Sequence, residues 1–397
     1  MQGYASRVAR ESKAMTRQDV IKKALEGTIT WAQAAYILRI SARHMFRLRE
    51  RFEQCGVGGL RDGRATWNRP KRLAPELVEE VCRLKRDVYP DFSVRHFHEF
   101  VTEKHGLAIS YTWTKDILQM RGLVERSPGR GKYRRKRERR PLVGMLLHLD
   151  ASTHPWLAGL PDQDLNVMLD DADGRILYAR FFEQEGTLST LAALKHVFRR
   201  WGRFCEFYTD RGAHFCRTST AGAAPDDEQH GQVARVLRAL GIRHILARSP
   251  EARGRSERAF GTIQGRLPQE LRIAGILSYR DANRYLDEVF VPDFNRRFTV
   301  TPFEPQSAFT PLAGIDLDLL LTAQHDRVVR NDSTVVFGKL ELQLPRTRDR
   351  AHFARCPVLV HELLDGNLGV SFQSKLIARF TRDGNLLTAP KKPEKAA

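Results

Sequence analysis

The 397-residue chain predicts a multidomain α+β protein with helical N-terminal domains, an α/β core and a small C-terminal β domain. Three observations predict it. The first third reads as short capped helices with no strand pattern. The middle alternates apolar runs with amphipathic helices. The last part breaks into short strands punctuated by glycine. Length sets the scale at roughly two to four domains, each able to bury a core.

Residues 1–60 hold a helix-turn-helix pattern. MTRQDVIKKALEG is amphipathic and ends at Gly27. Thr30 caps TWAQAAYIL, where Ala34 and Ala35 are small enough for close packing. Ser41 caps ARHMFRLRERFEQ, which stops before Gly56. Arg43, His44, Arg47 and Arg51 of that last helix are candidate contacts to phosphates and guanine edges. A helical bundle with a solvated arginine face is the alternative reading.

Residues 61–125 repeat the theme. LAPELVEEVCRLKRDV and FSVRHFHEFVTEKHG are helical, and Ser110 caps YTWTKDILQMRGLV. Tyr111, Thr112, Trp113 and Lys115 are candidate DNA contacts at the front of that helix; Trp113 fits a core position equally well. Residues 126–141, RSPGRGKYRRKRERRP, form a basic linker that cannot bury a core. Arg134, Arg135 and Lys136 within it suit a phosphate backbone.

Charge separates these segments from the rest. The chain carries a net +19; residues 1–141 hold 32 Lys+Arg and 16 Asp+Glu, leaving 34 and 31 for the remainder. The surplus lies almost wholly at the front, as expected of a polyanion-binding front and a near-neutral rear. A basic face serving solubility is the bland alternative. The five cysteines are scattered without a C-x-x-C pair, which argues against a disulfide framework and a cysteine zinc site. The polar N-terminus carries no signal-peptide pattern and no apolar run is long enough to span a bilayer, so a cytoplasmic, nucleoid-associated protein is expected.

Residues 142–275 predict the α/β core. MLLHLD is a buried strand. DLNVMLDDADGRILYARFF is a hairpin turned at Ala172-Asp173-Gly174. TLSTLAALKHVFRRW is an amphipathic helix, FCEFYTD a strand, QVARVLRALG a helix and IRHIL a last strand. Three strands followed by alternating helices and strands describe a mixed sheet with helices on both sides, the order of a ribonuclease-H-like fold.

Three carboxylates stand out in this core. Asp150 ends one apolar run, Asp210 ends another and precedes Arg211-Gly212, and Glu257 lies in SPEARGRSERAFG. Ser249 and Pro250 suit a helix start there. Glu251 then falls in the first turn and Glu257 nearly two turns further in. Gly254, costly inside a helix, suggests a close approach of backbone or DNA. Arg253, Arg255 and Arg258 surround Glu257 as candidate phosphate grips; an i,i+4 pair between Arg253 and Glu257 is the structural alternative. Two strand-end aspartates and a helix glutamate offer only oxygen donors, which suits two Mg²⁺ or Mn²⁺ ions.

HLDAST, YTDRGAHF and SPEARGRSERAFG resemble the three signatures of the DDE transposases of bacterial insertion sequences, within the retroviral integrase superfamily. The run Asp150-Ala151-Ser152-Thr153-His154-Pro155-Trp156 and NRRF at 295–298 resemble its ISNCY-like group. The resemblance covers most of the chain. It implies that Asp150, Asp210 and Glu257 are catalytic metal ligands, with His154 and Trp156 as neighbours. It also implies a homo-oligomer assembled on double-stranded DNA that cleaves transposon ends and joins the 3′-hydroxyl to target DNA. Ser256 stands where a small apolar residue is usual, and 217–228 reads as an insertion. A non-catalytic DNA-binding regulator and a nuclease without strand transfer remain the alternatives.

Residues 276–326 continue as a helix, YRDANRYLDEVFVPDFNRRF, and a proline-rich connector. Residues 327–385 read as short strands with turns at Gly338, Gly366 and Gly369, expected to close into a small β-barrel. Residues 386–397 are an expected disordered tail.

Overall fold

Helix caps set the first elements of the chain. The computed structural model describes residues 15–60, 74–126, 138–212, 214–215, 231–247, 254–347 and 350–387. Two units are distinguished, Met1–Cys82 and Arg83–Ala397. In the first, α1 covers residues 15–25, followed by α2 (Trp31–Ile37) and α3 (Ala42–Cys55). Thr30 Oγ1 accepts from the Gln33 amide at 3.2 Å while Gln33 Oε1 accepts from the Thr30 amide at 2.8 Å, a reciprocal cap. Ser41 Oγ accepts from the His44 amide at 3.3 Å and starts α3. Ala34 and Ala35 are buried with Ile21, Met45, Leu48 and Leu60. The last described helix of this unit is α4 (Pro75–Arg83).

The second unit begins with a π-helical turn, Leu84–Val88, then α5 (Val94–Lys104) and α6 (Tyr111–Met120). Lys85 is buried there, and its ammonium donates to the carbonyls of Tyr89, Pro90 and Phe92 at 3.0, 2.9 and 2.6 Å. Three carbonyl acceptors replace the water that a buried ammonium needs.

The central sheet is mixed and five-stranded, in the order β3-β2-β1-β4-β5. Its strands are β1 (Leu146–His154), β2 (Gln163–Asp170), β3 (Ile176–Phe182), β4 (Glu206–Thr209) and β5 (Arg243–Leu246). β1, β2 and β3 form an antiparallel meander, and β4 and β5 run parallel to β1. One face carries α7 (Thr187–Arg200) and α8 (Gln232–Ala239), with Leu147, Leu149, Met168 and Phe207 facing Leu194, Val197 and Val236. The other carries α9 (Gly254–Gln264), α10 (Leu267–Ile273), α11 (Tyr279–Tyr285) and α12 (Val291–Phe298), where Leu165, Val167 and Phe181 meet Phe260, Ile263 and Phe294. Helices thus cover both faces, as the alternation of runs predicts.

Two asparagines cover the edge strand. Asn295 Oδ1 accepts from the Ile176 amide at 2.7 Å and its Nδ2 donates to the Ile176 carbonyl at 2.8 Å. Asn283 does the same to Phe181, at 2.7 and 3.4 Å. Each carboxamide supplies β3 with the donor and acceptor of an absent strand. NRRF therefore has a structural role. Asn295 holds β3, and Arg297 of the same motif binds Asp293, Glu99 and Glu103, tying α12 to α5.

The connector after α12 lies against the end of the sheet. The Arg203 amide donates to the Thr310 carbonyl at 2.7 Å. Gly202, at φ +97°, has that carbonyl where a Cβ would stand, so only glycine fits. Beyond α13 (Leu317–Leu320) come β6 (Ala323–Val328), β7 (Thr334–Phe337), β8 (Leu340–Gln343), β9 (Pro357–Glu362), β10 (Leu368–Phe372), β11 (Lys375–Phe380) and β12 (Leu386–Leu387). The expected barrel is not closed among the described residues. Five of these strands form an open sheet, β12-β11-β10-β9-β6, and β7 and β8 pair only with each other. Val335, Leu342, Val360, Val370 and Phe380 fill one core between the two layers, which buries their apolar faces without closure. Gly369, expected in a turn, lies inside β10, where a Cβ would meet Leu376 at 3.1 Å.

Candidate active site

Asp150 lies within β1 rather than at its end. β2 continues beside it, pairing Asp150 with Val167 and onward to His154 with Gln163. The apolar run stops at Asp150, but antiparallel hydrogen bonding does not. On the other flank, the parallel ladder pairs Leu146 with Glu206 and His148 with Tyr208. That ladder ends two residues before Asp150 and two before Asp210, which directly follows β4. Adjacent strands lie about 4.8 Å apart, and directly opposed residues leave the sheet on one face.

That face is the one covered by α9. Val167, the partner of Asp150, belongs to the same core as Phe260 and Ile263. Gln264 Nε2 of α9 donates to Ser152 Oγ at 2.8 Å, and Ser152 shares the face of Asp150. Glu257 lies seven residues before Gln264, on the same stripe of the helix. It is exposed and stands in the first turn of α9 as described. Among the described residues, no group of three or more His, Cys, Asp or Glu is gathered closely enough to hold a metal ion. Both aspartates thus follow the last β1–β4 pair by two residues, and Glu257 lies on the helix that covers the Asp150 face.

The turn after β4 is built around Asp210. Its Oδ1 accepts from the Gly212 amide at 2.8 Å. A Cβ on Gly212 would stand 3.1 Å from that oxygen and 3.0 Å from the His214 ring, so glycine lets carboxylate and imidazole share this space. His214 also approaches Glu185, at 3.6 Å. Behind the turn, Thr209 Oγ1 meets His244 Nε2 at 2.8 Å, and burial pushes the His244 imidazole down to about 4. His214 and Glu185 were missed in the sequence, although the histidine lies inside YTDRGAHF. No spacing rule joins it to a glutamate 29 residues earlier.

A second acidic group fills the β2–β3 turn. Asp170 is buried and accepts from the amides of Gly144 and Ala172 at 2.7 and 2.8 Å. Burial raises its carboxyl to about 6. Asp171 is also buried; it accepts from the Arg140 amide at 2.8 Å, meets His148 Nε2 at 2.8 Å and pairs with Arg255. Despite the opposing effect of burial, these contacts hold its carboxyl far below the usual range. Asp173 accepts from the Arg175 amide and guanidinium at 2.9 and 2.6 Å.

Arg255 thus stands against Asp171, with further bonds to the carbonyls of Asp171 and Glu138 at 3.1 and 2.7 Å. Arg258 is exposed, and its guanidinium donates to the Gly254 carbonyl one turn earlier in α9 at 2.8 Å. Gly254 is the first described residue of α9 and faces open space, so no protein backbone approaches it among the described residues. Ser256 is buried, which explains a small residue at that position. Trp156 is a core residue whose indole donates to the carbonyls of Ser152 and Gln163 at 3.3 and 3.1 Å; the His154 ring lies 4.9 Å from its own.

Arg43, Arg47 and Arg51 are exposed on α3 at successive four-residue steps, with His44 beside them. Tyr111, Thr112 and Lys115 are exposed on α6, and Trp113 is half-buried. Arg134, Arg135, Lys136, Glu251 and Arg253, like the helix start at Ser249, lie outside the described residues.

Two proteins named as transposases resemble this chain along most of its length. The chain is 28% identical over 376 residues to y4bF of Sinorhizobium fredii (strain NBRC 101917 / NGR234), a protein named as a transposase, covering 92% of this chain and 80% of that one. It is 24% identical over 396 residues to the transposase for insertion sequence IS1202 of Streptococcus pneumoniae, covering 90% and 84%. No protein-family model matches. Solved structures give looser likenesses. The HTLV-2 integrase catalytic core domain in complex with magnesium (trimeric form) is 17% identical, with a TM-score of 0.28 over 36% of this chain and 82% of that one. The simian T-cell lymphotropic virus intasome in complex with PP2A regulatory subunit B56 gamma is 14% identical, with a TM-score of 0.34 over 75% and 100%.

Proposed function

We propose that this chain, related along most of its length to proteins named as transposases, is itself a DNA transposase. It binds transposon ends, cleaves a phosphodiester there and joins the exposed 3′-hydroxyl to target DNA. Two observations support this reading: the parallel β1–β4 ladder ends at His148 and Tyr208, two residues before Asp150 and Asp210, and the Asp150 face of the sheet packs against the helix that bears Glu257. The sheet order supports a ribonuclease-H-like core.

Asp150, Asp210 and Glu257 would hold two divalent cations. The donor set fits, because it is oxygen only and hard cations such as Mg²⁺ and Mn²⁺ take oxygen ligands. Bound there, such a pair supplies activation of the attacking oxygen and stabilisation of the leaving oxygen. The chain's own part is to bind and orient. The arginine stripe of α3 and the basic segment 126–141 hold phosphates, and the exposed front of α6 offers a second contact. Domains follow as 1–60 and 61–125 for DNA binding, 142–275 for catalysis and 327–385 as a C-terminal β module. Two ends must be held together for transposition, which requires a multimer on DNA.

The test uses the full chain and DNA taken from either side of its coding sequence. With Mg²⁺ or Mn²⁺ it should release a 3′-hydroxyl end and then yield a joined product with unrelated target DNA. Cleavage without joining would make it a nuclease; binding without cleavage would make it a regulator.

A further inference from the structure

A groove of about 740 Å³ opens on the α7 side of the sheet, the face opposite Asp150. Tyr178, Phe182 and Leu364 form an apolar floor, and Arg180, Lys195, Arg199 and Arg200 a cationic rim. His196 lies between them, its ring 5.2 Å from that of Tyr178. The carboxylates nearby do not balance the rim. Asp318 pairs with Lys195 at 2.7 Å and with Arg199 at 2.8 Å. Asp287 acts on Tyr178 and His196. Arg180 and Arg200 form no ion pair among the described residues; Arg200 lies 5.0 Å over the Trp201 ring.

Among the described residues, two buried polar groups here have no hydrogen-bond partner. Tyr178, in the groove lining, is only 6% exposed, and its hydroxyl is unpartnered. Asn166, the cross-strand partner of Arg180, is wholly buried with both carboxamide atoms unpartnered. Buried donors and acceptors are costly to leave unmade, so the Tyr178 hydroxyl in the lining of an open groove points to a ligand.

We propose that this groove binds an unpaired nucleotide of a DNA strand, with the phosphate on Arg180 and Arg200 and the base over the floor, against the Tyr178 hydroxyl. The inference rests on the reading of the chain as acting on DNA. An apolar floor with a cationic rim suits a base and its phosphate together, and the volume falls in the range of small-ligand sites. A duplex presents a convex backbone that meets the rim but does not reach a hydroxyl below it. Because the groove is on the face opposite Asp150, the nucleotide it holds is not the one beside Asp150 in the same subunit.

The experiment labels exposed arginines of the full-length protein with a dicarbonyl reagent and reads Arg180 and Arg200 by mass spectrometry. Single-stranded oligonucleotide should protect both. The same sequence as duplex and inorganic phosphate at equal phosphate concentration should not. Tyr178→Phe should fold normally and raise the oligonucleotide concentration for half-protection about tenfold, as expected for a lost buried hydrogen bond. Equal protection by duplex or by inorganic phosphate, no protection at all, or an unchanged Tyr178→Phe overturns the proposal. Asp150→Asn is labelled in parallel. It should retain protection, so that a failed cleavage site and a failed groove are told apart.

Discussion

Asp170, Asp171 and Asp173 lie one strand away from Asp150, yet the two acidic groups are treated in opposite ways. The hairpin aspartates are almost wholly buried and surrounded by amides, arginines and a histidine. Asp150 and Asp210 are half-buried, and Glu257 is exposed. A carboxylate buried among protein donors is a strut; one that still meets solvent has room for a ligand. Residue type does not separate these groups, but burial does.

The largest effect that tests this contrast is on cleavage. Asp150→Asn, Asp210→Asn and Glu257→Gln should each reduce cleavage of end DNA by orders of magnitude, with DNA binding intact. Glu251→Gln should leave cleavage nearly unchanged. The reverse pattern for the two glutamates would transfer the third ligand to Glu251.

Next comes stability. Asp171→Asn removes the charge between Arg255 and His148 and should destabilise the fold by about 3–5 kcal/mol, the usual cost of breaking a buried pair. Thermal melts measure it. A variant that melts like the parent but cannot cleave would place the hairpin acids in the chemistry and erase the distinction.

Acid should act on the structural elements first. His244 and His361 are both pushed down to about 4 by burial, from an ordinary value of 6.5. Between those values the unfolded chain binds protons that the folded chain does not, so stability falls as pH drops through that window. Asp170 opposes this, because its folded value near 6 exceeds the ordinary 3.8 and acid favours its folded form. Two histidines against one aspartate leave a net loss. A melting temperature that stays constant from neutral pH to the acid end of this window would show that these groups are not held as described.

The smallest expected effect separates two arginines of α9. Arg255→Ala should behave as Asp171→Asn does. Arg258→Ala should change stability by no more than about 0.5 kcal/mol and lower the salt slope of DNA binding by about 1. If Arg255→Ala changes only the slope, its bond to Asp171 is incidental.

Features set by neighbours in sequence were legible before the structure. The caps at Thr30, Ser41 and Ser110 involve residues three apart, and each is present. The mixed sheet with helices on both faces followed from alternating runs. What depended on distant pairing was not legible. Asp150 marks the end of an apolar run, but its strand continues because β2 pairs with it. DDADG reads as an ordinary polar turn, and nothing local says that Arg140, His148 and Arg255 converge on it. Barrel closure depends on which edges meet, and short alternating strands carry no record of that.

The asparagine clamps on β3 bear on how copies of this protein can assemble. A bare outer strand is an invitation for another chain to add itself by backbone pairing. Here Asn283 and Asn295 answer that strand from within, each standing in for one peptide unit. A leucine of similar size would fill the space and leave an amide and a carbonyl open; an aspartate would satisfy the amide and repel the carbonyl. Only a carboxamide suits both. If copies of this chain assemble as proposed, backbone pairing at these two positions of β3 is not open to them.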